Sequence, residues 1–302
     1  MIVSGAVFAA GRVQGGPNPR PFSPLDSLMA HRLVAGIDVG STTCKVVLAD
    51  GPDVVGSAIA ATGANSQKTV ERLLSGLLAD CGRRRAGLAC VVSTGYGRRL
   101  VRSADQIVSE ITAIARGAAA LSGRGKPPRT VIDIGGQDSK VISLDEWGIL
   151  RDFTMNDKCA AGTGRFLEVM ARAMEVELDA LGSLSLRAEK VLPVNSLCTV
   201  FAESEVISLL SRGEEVCDIV AGIHASIAKR VAAMARKVCV AGRVVFVGGP
   251  ALNAGLRRAL EMELGVKLFV PKHPQLVAAF GAAEIAAAGG AARGGAAAAD
   301  ER

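Results

Sequence analysis

Two stretches of this chain share one pattern, and the repeat limits the folds that the chain can adopt. Gly-Ile-Asp-Val-Gly-Ser-Thr-Thr at 36–43 aligns with Val-Ile-Asp-Ile-Gly-Gly-Gln-Asp at 131–138. In both, an apolar run typical of a β-strand ends in an aspartate, a glycine turn follows, and a second strand-like run returns. Two such hairpins predict two related halves with a cleft between them.

Segments typical of strands and helices alternate through the chain, and this alternation predicts an α/β fold. The 302 residues are enough for two domains of ordinary size. From apolar periodicity and turn residues we expect strands at 33–38, 44–49, 89–93, 129–134, 140–144 and 243–247. By the same criteria we expect helices at 66–81, 109–121, 164–176, 203–211, 216–240, 255–264 and 275–288.

The repeat also predicts where the two halves begin and end. We expect the first half at 33–128, joined by the last helix at 275–288, and the second half at 129–274. Residues 1–32 are rich in proline and glycine and show little periodicity, so we expect a disordered extension that is not a signal peptide. The Gly/Ala-rich tail at 289–302 is expected to be disordered as well.

Composition and charge argue against several classes of protein. The formal net charge is +6, but lysine and arginine form no dense run, so nucleic-acid binding is not expected. No apolar stretch of the sequence is long enough to span a membrane. The seven cysteines are an odd number scattered through a long chain, unlike a secreted disulfide framework. We therefore expect a cytoplasmic protein whose thiols stay free to bind metal.

The glycine turns are typical of sites that bind nucleotide phosphates. Such a site needs converging N–H donors with no Cβ in the way, and glycine turns after strands supply both. Lys45 adds a positive charge, and the backbone N–H of Cys44 can face phosphate while its thiol points into the core. The spacing is that of neither a P-loop nor a Gly-x-Gly-x-x-Gly site. The candidate phosphate-binding residues are Ser41, Thr42, Thr43, Cys44, Lys45, Gly135, Gly136, Gln137, Gly248 and Gly249.

Asp38 and Asp133 stand at the ends of the first strands of the two hairpins and are the candidate catalytic residues. Both are placed to hold Mg²⁺ through water molecules, since Mg²⁺ favours a few carboxylates and keeps several waters. One of them could orient an attacking water, because phosphoryl transfer depends on positioning and charge neutralisation. The hairpins therefore predict a nucleotide site with Mg²⁺.

Cys159 and Cys198 each stand just ahead of a predicted helix. The positive end of a helix dipole favours a thiolate and steadies an anionic cluster. A four-iron cluster usually needs four thiolates, and a twofold-symmetric dimer would supply them from two cysteines per chain. Zinc remains an alternative, because four thiolates also suit zinc.

The remaining cysteines, the histidines and the tryptophan are interpreted as structural. His31 and His273 have no paired ligand and His224 lies within a predicted helix, so none is expected to act as a catalytic base. Trp147 is expected to pack on a hairpin. The cysteines with structural side chains are Cys44, Cys81, Cys90, Cys217 and Cys239.

The hairpins and the Val-Gly-Gly at 247–249 resemble the acetate kinase, sugar kinase, Hsp70 and actin superfamily. This resemblance implies two ribonuclease H-like, actin-like ATPase domains around a nucleotide cleft, and it adds Gln275 as a nucleotide contact. Within the superfamily, four stretches in residues 33–287 are similar to the ATP-dependent activators of 2-hydroxyacyl-CoA dehydratases, relatives of the ATP-binding subunits of benzoyl-CoA reductase. They are Ser93-Thr-Gly-Tyr-Gly-Arg98, Asp133-Ile-Gly-Gly-Gln-Asp138, Asn156-Asp-Lys-Cys-Ala-Ala-Gly-Thr-Gly-Arg-Phe166 and Cys198-Thr-Val-Phe-Ala-Glu-Ser-Glu-Val-Ile-Ser208.

The resemblance implies an ATP-hydrolysing one-electron donor that works as a homodimer. It implies one [4Fe–4S] cluster between two subunits, held by Cys159 and Cys198 of each. The implied partners are an iron–sulfur 2-hydroxyacyl-CoA dehydratase, which takes the electron, and a ferredoxin or flavodoxin, which supplies it.

Three other functions stay open at this point. The chain could be an ATP-hydrolysing subunit of a benzoyl-CoA-type reductase, which would form a mixed pair of subunits. It could be a kinase of the same superfamily, which would need an acceptor pocket and would have no use for Cys159 and Cys198. It could also be a zinc-stapled nucleotide-binding scaffold without redox work.

Overall fold

The structure is a computed structural model that describes residues 32–121, 125–157, 162–194 and 199–297, with side chains described as far as residue 289. The chain forms two compact units. Of the described residues, those at 32–117 and 278–297 form one unit, and those between 118 and 277 form the other. Each unit is built on its own five-stranded mixed sheet with helices, which confirms the predicted α/β class.

The elements follow one another along the chain as strands and helices of ordinary length. The strands are β1 (Leu33–Val39), β2 (Thr43–Asp50), β3 (Asp53–Ala61), β4 (Cys90–Thr94), β5 (Gln106–Ile107), β6 (Thr130–Ile134), β7 (Ser139–Leu144), β8 (Leu150–Asn156), β9 (Val244–Val247) and β10 (Leu268–Phe269). The helices are α1 (Ser66–Asp80), α2 (Glu110–Ala120), α3 (Gly164–Ala173), α4 (Leu181–Leu186), α5 (Thr199–Ser211), α6 (Val216–Val238), α7 (Ala254–Leu264) and α8 (Val277–Ala297).

The two sheets have the same topology. The first runs in the order β3-β2-β1-β4-β5 and the second in the order β8-β7-β6-β9-β10. In each, three consecutive strands form an antiparallel meander, and two later strands join the other side of its first strand in parallel. The repeated sequence motifs are the β1–β2 and β6–β7 hairpins, so the prediction of two related halves is confirmed.

The central strands are buried on both faces, which explains their continuous apolar sequences. All residues of β1 and β6 are buried, including Asp38 and Asp133 near their ends. In the first unit, α1 packs its Val70 and Leu74 onto β1 and β2. In the second, a larger core joins the sheet to α3, α5, α6 and α7.

The last helix, α8, packs against β1 and α2 of the first unit at two positions where the backbones come very close. A Cβ placed on Gly36 of β1 would lie 2.0 Å from the carbonyl oxygen of Ala279 in α8. A Cβ placed on Gly281 of α8 would lie 1.8 Å from the carbonyl oxygen of Ala113 in α2. Only glycine allows backbones to approach so closely, so these two positions fix α8 against the sheet and α2.

Several expectations differ from the structure. Helix α3 ends at Ala173 and not at 176, because Glu175 adopts a left-handed conformation (φ 55°) that a helix cannot continue through. Helix α8 continues past the predicted end at 288 as far as Ala297, in keeping with the high helix propensity of alanine. The prediction for Trp147 is wrong: its side chain is 77% exposed in the β7–β8 turn, where its backbone N–H donates to Asp145.

Among the described residues, the helices are either too short or too polar to cross a lipid bilayer.

Candidate functional site

The first candidate turn is fixed by an ion pair across the β1–β2 hairpin. Asp38 lies opposite Lys45 in register, and the Lys45 ammonium nitrogen is 2.9 Å from Asp38 Oδ2. The second carboxylate oxygen of Asp38, Oδ1, is buried and has no hydrogen-bond partner among the described residues. A buried acceptor of this kind is expected to receive a water or a ligand that the protein binds.

The turn between β1 and β2 presents its hydroxyl groups at the surface. The Gly40 N–H donates to the carbonyl of Thr43 (3.1 Å), and Thr62 donates its hydroxyl to the Gly40 carbonyl (2.7 Å). These two bonds fix the conformation of the turn. Ser41, Thr42 and Thr43 remain half-buried. The turn can therefore offer backbone and hydroxyl donors to an anion.

The Cys44 thiol, in contrast, is part of the core. It is fully buried, its sulfur lies 3.5 Å from Thr62 Oγ1, and burial raises the pKa of the thiol. Any contact between Cys44 and phosphate must therefore use its backbone N–H.

Beside the first turn, the end of β4 adds two residues that the sequence did not assign to the site. Thr94 lies next to Asp38 in the parallel β1–β4 register, and its buried hydroxyl has no partner among the residues described. Gly95 follows with φ +88°, and a Cβ there would lie 2.3 Å from Asp38 Oδ1. A sequence signal for these two residues did exist. An apolar strand followed by Thr-Gly is similar to the strands that end in an aspartate and a glycine turn.

The second candidate turn repeats the ion pair in a more buried form. Asp133 lies opposite Lys140 in the β6–β7 register, with 3.4 Å between the ammonium nitrogen and Asp133 Oδ2. The same ammonium lies 2.7 Å from Asp138 Oδ1, and the Lys140 side chain is 1% exposed. Sequence reasoning missed Lys140, although the offset of seven residues from Asp38 to Lys45 recurs from Asp133 to Lys140.

The backbone of the second turn contacts the beginning of α3. Within the turn, the Gly135 N–H donates to the Asp138 carbonyl (2.9 Å). The Gly164 N–H then donates to the Gly135 carbonyl (2.8 Å), and the Arg165 N–H donates to the Gly136 carbonyl (2.9 Å). Gly135 and Gly136 are half-buried, whereas Gln137 is exposed.

The third glycine motif lies beside Asp133. Gly248 has φ +92°, and a Cβ there would lie 2.1 Å from the Ile134 carbonyl oxygen and 3.0 Å from Asp133 Oδ1. Its N–H donates to the Pro274 carbonyl (3.0 Å), and a Cβ on Gly249 would lie 3.7 Å from Gln275 Nε2. The structure thus brings Asp133, Gly248, Gly249 and Gln275 together within the second unit.

Cys159 and Cys198, the two predicted metal ligands, lie outside the described residues. The helices that follow them are described: α3 begins at Gly164 and α5 begins at Thr199, immediately after Cys198. These helices contact each other, and Phe166, Met170, Ala202 and Val206 all belong to one core cluster. Of the other cysteines, Cys44 and Cys90 are buried, Cys81 and Cys217 are half-buried and Cys239 is exposed, and none of these five forms a disulfide.

The two described histidines, His224 and His273, differ in how deeply they are buried. His224 is completely buried in α6, and this burial lowers its pKa to about 4. Asn253 donates from its amide nitrogen to His224 Nε2 (3.1 Å), because its amide oxygen already accepts the Leu256 N–H. His273 is exposed, and His31 lies outside the described residues. Burial therefore keeps His224 neutral at pH 7 within the second unit.

Comparison with known proteins identifies relatives over nearly the whole described chain. The sequence profile of the BadF/BadG/BcrA/BcrD ATPase family matches residues 35–286. The 2-hydroxyisocaproyl-CoA dehydratase activator of Clostridioides difficile is 47% identical over 249 residues, which cover 82% of this chain and 92% of the relative. A benzoyl-CoA reductase subunit from Thauera aromatica is 35% identical over 76% of this chain and 82% of its own.

The fold has a close match among solved structures as well. The structure of the activator of the 2-hydroxyisocaproyl-CoA dehydratase from Clostridium difficile with bound ADPNP superposes with a TM-score of 0.81. It is 45% identical and covers 86% of this chain and 96% of its own.

Proposed function

The chain belongs to the BadF/BadG/BcrA/BcrD ATPase family, and on that basis we propose that it is an ATP-dependent one-electron donor that activates a 2-hydroxyacyl-CoA dehydratase. The observation that carries the proposal is the 47% identity over almost the full length of a relative named as such an activator. We further propose a cytoplasmic homodimer that receives its electron from a ferredoxin or a flavodoxin.

The nucleotide in this proposal is ATP with Mg²⁺. Support comes from the related structure with ADPNP, an analogue of ATP. In the first unit, Ser41, Thr42 and Thr43 with the Cys44 N–H and Lys45 bind phosphate through donors at the end of the hairpin. In the second unit the corresponding donors come from the turn at 135–137, and the remaining nucleotide contacts are Gly248, Gly249 and Gln275.

Asp38 and Asp133 act on the metal and the water in this proposal. The buried, unpartnered Oδ1 of Asp38 fits an acceptor for a magnesium-bound water, since Mg²⁺ keeps much of its water shell in proteins. Lys45 and Lys140 hold the two carboxylates in fixed orientations from the neighbouring strands. Hydrolysis then depends on positioned charge, as phosphoryl transfer generally does.

Cys159 and Cys198 of two protomers are the proposed ligands of one [4Fe–4S] cluster. When bound, such a cluster supplies a low-potential one-electron store. The proposal is supported by the helices that follow both cysteines, because α3 and α5 contact each other and contribute to one core cluster. It is also supported by exposed apolar residues on α5: Val200 and Phe201, in the two positions after Thr199, and Ile207 further along. Apolar side chains grouped in this way fit a surface that a second copy of the chain covers.

The second candidate function is that of an ATP-hydrolysing subunit in a benzoyl-CoA-type reductase. The observation that favours it is the 35% identity to the benzoyl-CoA reductase subunit of Thauera aromatica. The two functions differ in assembly: an activator pairs with an identical chain, whereas the reductase subunit would pair with a different one.

Anaerobic purification tests the proposal directly. The wild-type protein is expected to be a brown dimer with about four iron atoms, the content of one cluster. Cys159→Ser and Cys198→Ser should each lose this iron, whereas Cys239→Ser, at an exposed thiol, should keep it. With ATP and reduced ferredoxin or flavodoxin, the wild type should switch on an iron–sulfur 2-hydroxyacyl-CoA dehydratase.

Each alternative function has its own outcome in this experiment. A colourless protein with zinc supports the scaffold, and ATP turnover that a sugar stimulates supports a kinase. Iron that survives replacement of both Cys159 and Cys198 contradicts the proposed ligands.

A further inference from the structure

Two buried polar atoms belong to neighbouring residues of the first unit, and neither has a partner. The Thr94 hydroxyl and Asp38 Oδ1 receive no hydrogen bond from any residue that the structure describes. Thr94 is completely buried and Asp38 is 4% exposed. The two residues are Cα partners in the parallel β1–β4 register, so their side chains leave the same face of the sheet. Buried polar atoms are rarely left in this state unless water or a ligand pairs with them.

The second unit repeats the arrangement without the hydroxyl. In each sheet a lysine, an aspartate and the last residue of a parallel strand form a row across three strands. The row of the first sheet is Lys45, Asp38 and Thr94, and the row of the second is Lys140, Asp133 and Val247. Val247 is buried as Thr94 is, and valine has the shape of threonine with a methyl group in place of the hydroxyl. The fold therefore accepts an apolar side chain at this place in the row, and the Thr94 hydroxyl is a feature of the first unit.

The residues around Asp38 fix one of its carboxylate oxygens and leave the other accessible. Lys45 lies 2.9 Å from Oδ2 and holds the carboxylate in place. On the β4 side, Gly95 has φ +88°, and a Cβ there would lie 2.3 Å from Oδ1. Any side chain at this position would cover Oδ1, so the glycine keeps this oxygen open for a ligand.

We propose that Thr94 and Asp38 together hold one water molecule of the ATP site, with the Thr94 hydroxyl and Asp38 Oδ1 as its two protein partners. This inference rests on the proposed function, because it takes Asp38 as a residue of the ATP site. A buried water needs at least two polar partners, and two fixed partners set its position and its orientation. The water either belongs to the shell of the bound magnesium ion or stands free of it, and the binding experiment below separates these two cases.

Thr94→Val is the test variant, because Val247 shows that such a row accepts valine. On the full-length, anaerobically prepared protein it should lower the rate of ATP hydrolysis by about tenfold or more, the rate equivalent of one hydrogen bond. Without nucleotide it should unfold at the same urea concentration as the wild type or at a higher one, because it removes an unpaired buried hydroxyl. Thr94→Ser keeps the hydroxyl and should restore most of the rate.

Thr130→Val is the matched control, since it makes the same change where the hydroxyl has partners. The buried Thr130 hydroxyl donates to the Ala241 carbonyl and accepts the Ala241 N–H, both at 3.1 Å. This variant should unfold at a lower urea concentration than the wild type and hydrolyse ATP at the wild-type rate. The two threonines are thus expected to show opposite effects on stability and on activity.

Calorimetry with a non-hydrolysable ATP analogue identifies the water. If the water belongs to the magnesium shell, Thr94→Val should weaken binding by about tenfold in the presence of Mg²⁺ and leave binding in EDTA unchanged. If the water stands free of the metal, analogue binding should stay as in the wild type under both conditions while hydrolysis is slow. Equal weakening with and without Mg²⁺ would place the hydroxyl on the nucleotide itself and overturn the inference.

The remaining outcomes separate this inference from the proposed function. The inference is overturned if Thr94→Val hydrolyses ATP at the wild-type rate, if Thr94→Ser is as slow as Thr94→Val, or if Thr94→Val is as unstable as Thr130→Val. The ATPase proposal stands in each of these cases. A wild type that hydrolyses ATP but holds no iron overturns the electron-transfer proposal and leaves this inference intact. A wild type that does not hydrolyse ATP overturns both.

Discussion

The buried ammonium of Lys140 forms an ion pair with the half-buried Asp138, with 2.7 Å between the ammonium nitrogen and Oδ1. The same ammonium lies 3.4 Å from Asp133, so one lysine neutralises two carboxylates at the base of the second turn. The equivalent lysine of the first hairpin, Lys45, pairs with Asp38 and is 14% exposed. The two hairpins therefore share a lysine–aspartate pair across the strands but differ in the burial of the lysine.

Lys140→Met should destabilise the protein more than Lys45→Met. The first change leaves two carboxylates without their buried cation, which typically costs about 3–5 kcal/mol of unfolding free energy. Lys45 is more exposed to water than Lys140, so we expect a smaller loss there, of about 1–3 kcal/mol. Urea unfolding of the two variants measures the difference. Equal losses, or a larger loss for Lys45→Met, would contradict this account of the second hairpin.

Asp38→Asn and Asp133→Asn should each slow ATP hydrolysis by about a hundredfold or more, because each removes a charge that positions water or metal. Phosphate release under anaerobic conditions measures the rate, and the shift of melting temperature with MgATP shows whether nucleotide still binds. Asp152→Asn, at an exposed position of β8, is the control and should hydrolyse ATP as the wild type does. Wild-type rates in both test variants would remove the two aspartates from the catalytic site.

Gly248→Ala should be far more harmful than Gly213→Ala. Both glycines have positive φ, +92° and +79°, so alanine is strained at either position by about 1–2 kcal/mol. At Gly248 the new Cβ also meets the Ile134 carbonyl at 2.1 Å, whereas nothing lies within 4 Å at Gly213. We expect Gly248→Ala to lose at least about 2 kcal/mol more in urea unfolding, since the backbone itself must shift. Equal losses would show that the close approach of Gly248 to β6 does not affect the free energy of unfolding.

Acid should lower the free energy of unfolding, because His224 favours the neutral form in the folded state. Its pKa in the folded state is about 4 against an ordinary 6.5, so the unfolded chain binds a proton at pH values where the folded chain does not. The stability that neutral His224 contributes is complete above pH 6.5 and is lost as the pH falls toward 4, by up to about 3 kcal/mol. His224→Gln keeps an acceptor for Asn253 and should flatten unfolding free energy against pH in this window. His273→Gln, at an exposed histidine, should leave the slope as it is; a slope that survives in His224→Gln assigns the acid sensitivity elsewhere.

Local sequence patterns were sufficient to predict the strands and helices whose signals lie within a few residues of each other. The β1–β2 and β6–β7 hairpins were predicted because an apolar run, an aspartate and a glycine turn lie within a few residues of each other. The third strand of each sheet was missed. β3 (Asp53–Ala61) contains a glycine and several alanines, and β8 (Leu150–Asn156) is exposed along most of its length. These edge strands exist because they pair with β2 and β7, which no local pattern encodes.

The candidate site was predictable in its glycines and aspartates but not in its supporting residues. From sequence alone, a lysine inside a strand is predicted to lie on the surface. A buried ammonium is stable only when carboxylates pair with it, and those partners are not visible in the local sequence. Lys140 became recognisable once the register placed it opposite Asp133. Thr94 was missed for the same reason, since its place beside Asp38 depends on the pairing of β4 with β1.

The contribution of α8 to the first unit makes that unit discontinuous along the chain. Residues 118–277 are contiguous, whereas the first unit is assembled from two segments on either side of them. The first unit stays incomplete until Ala279 and Gly281 can reach Gly36 and Ala113. The opening strands therefore acquire their last helical partner only after the whole second unit has been synthesised, a closure of high contact order that slows folding of the first unit.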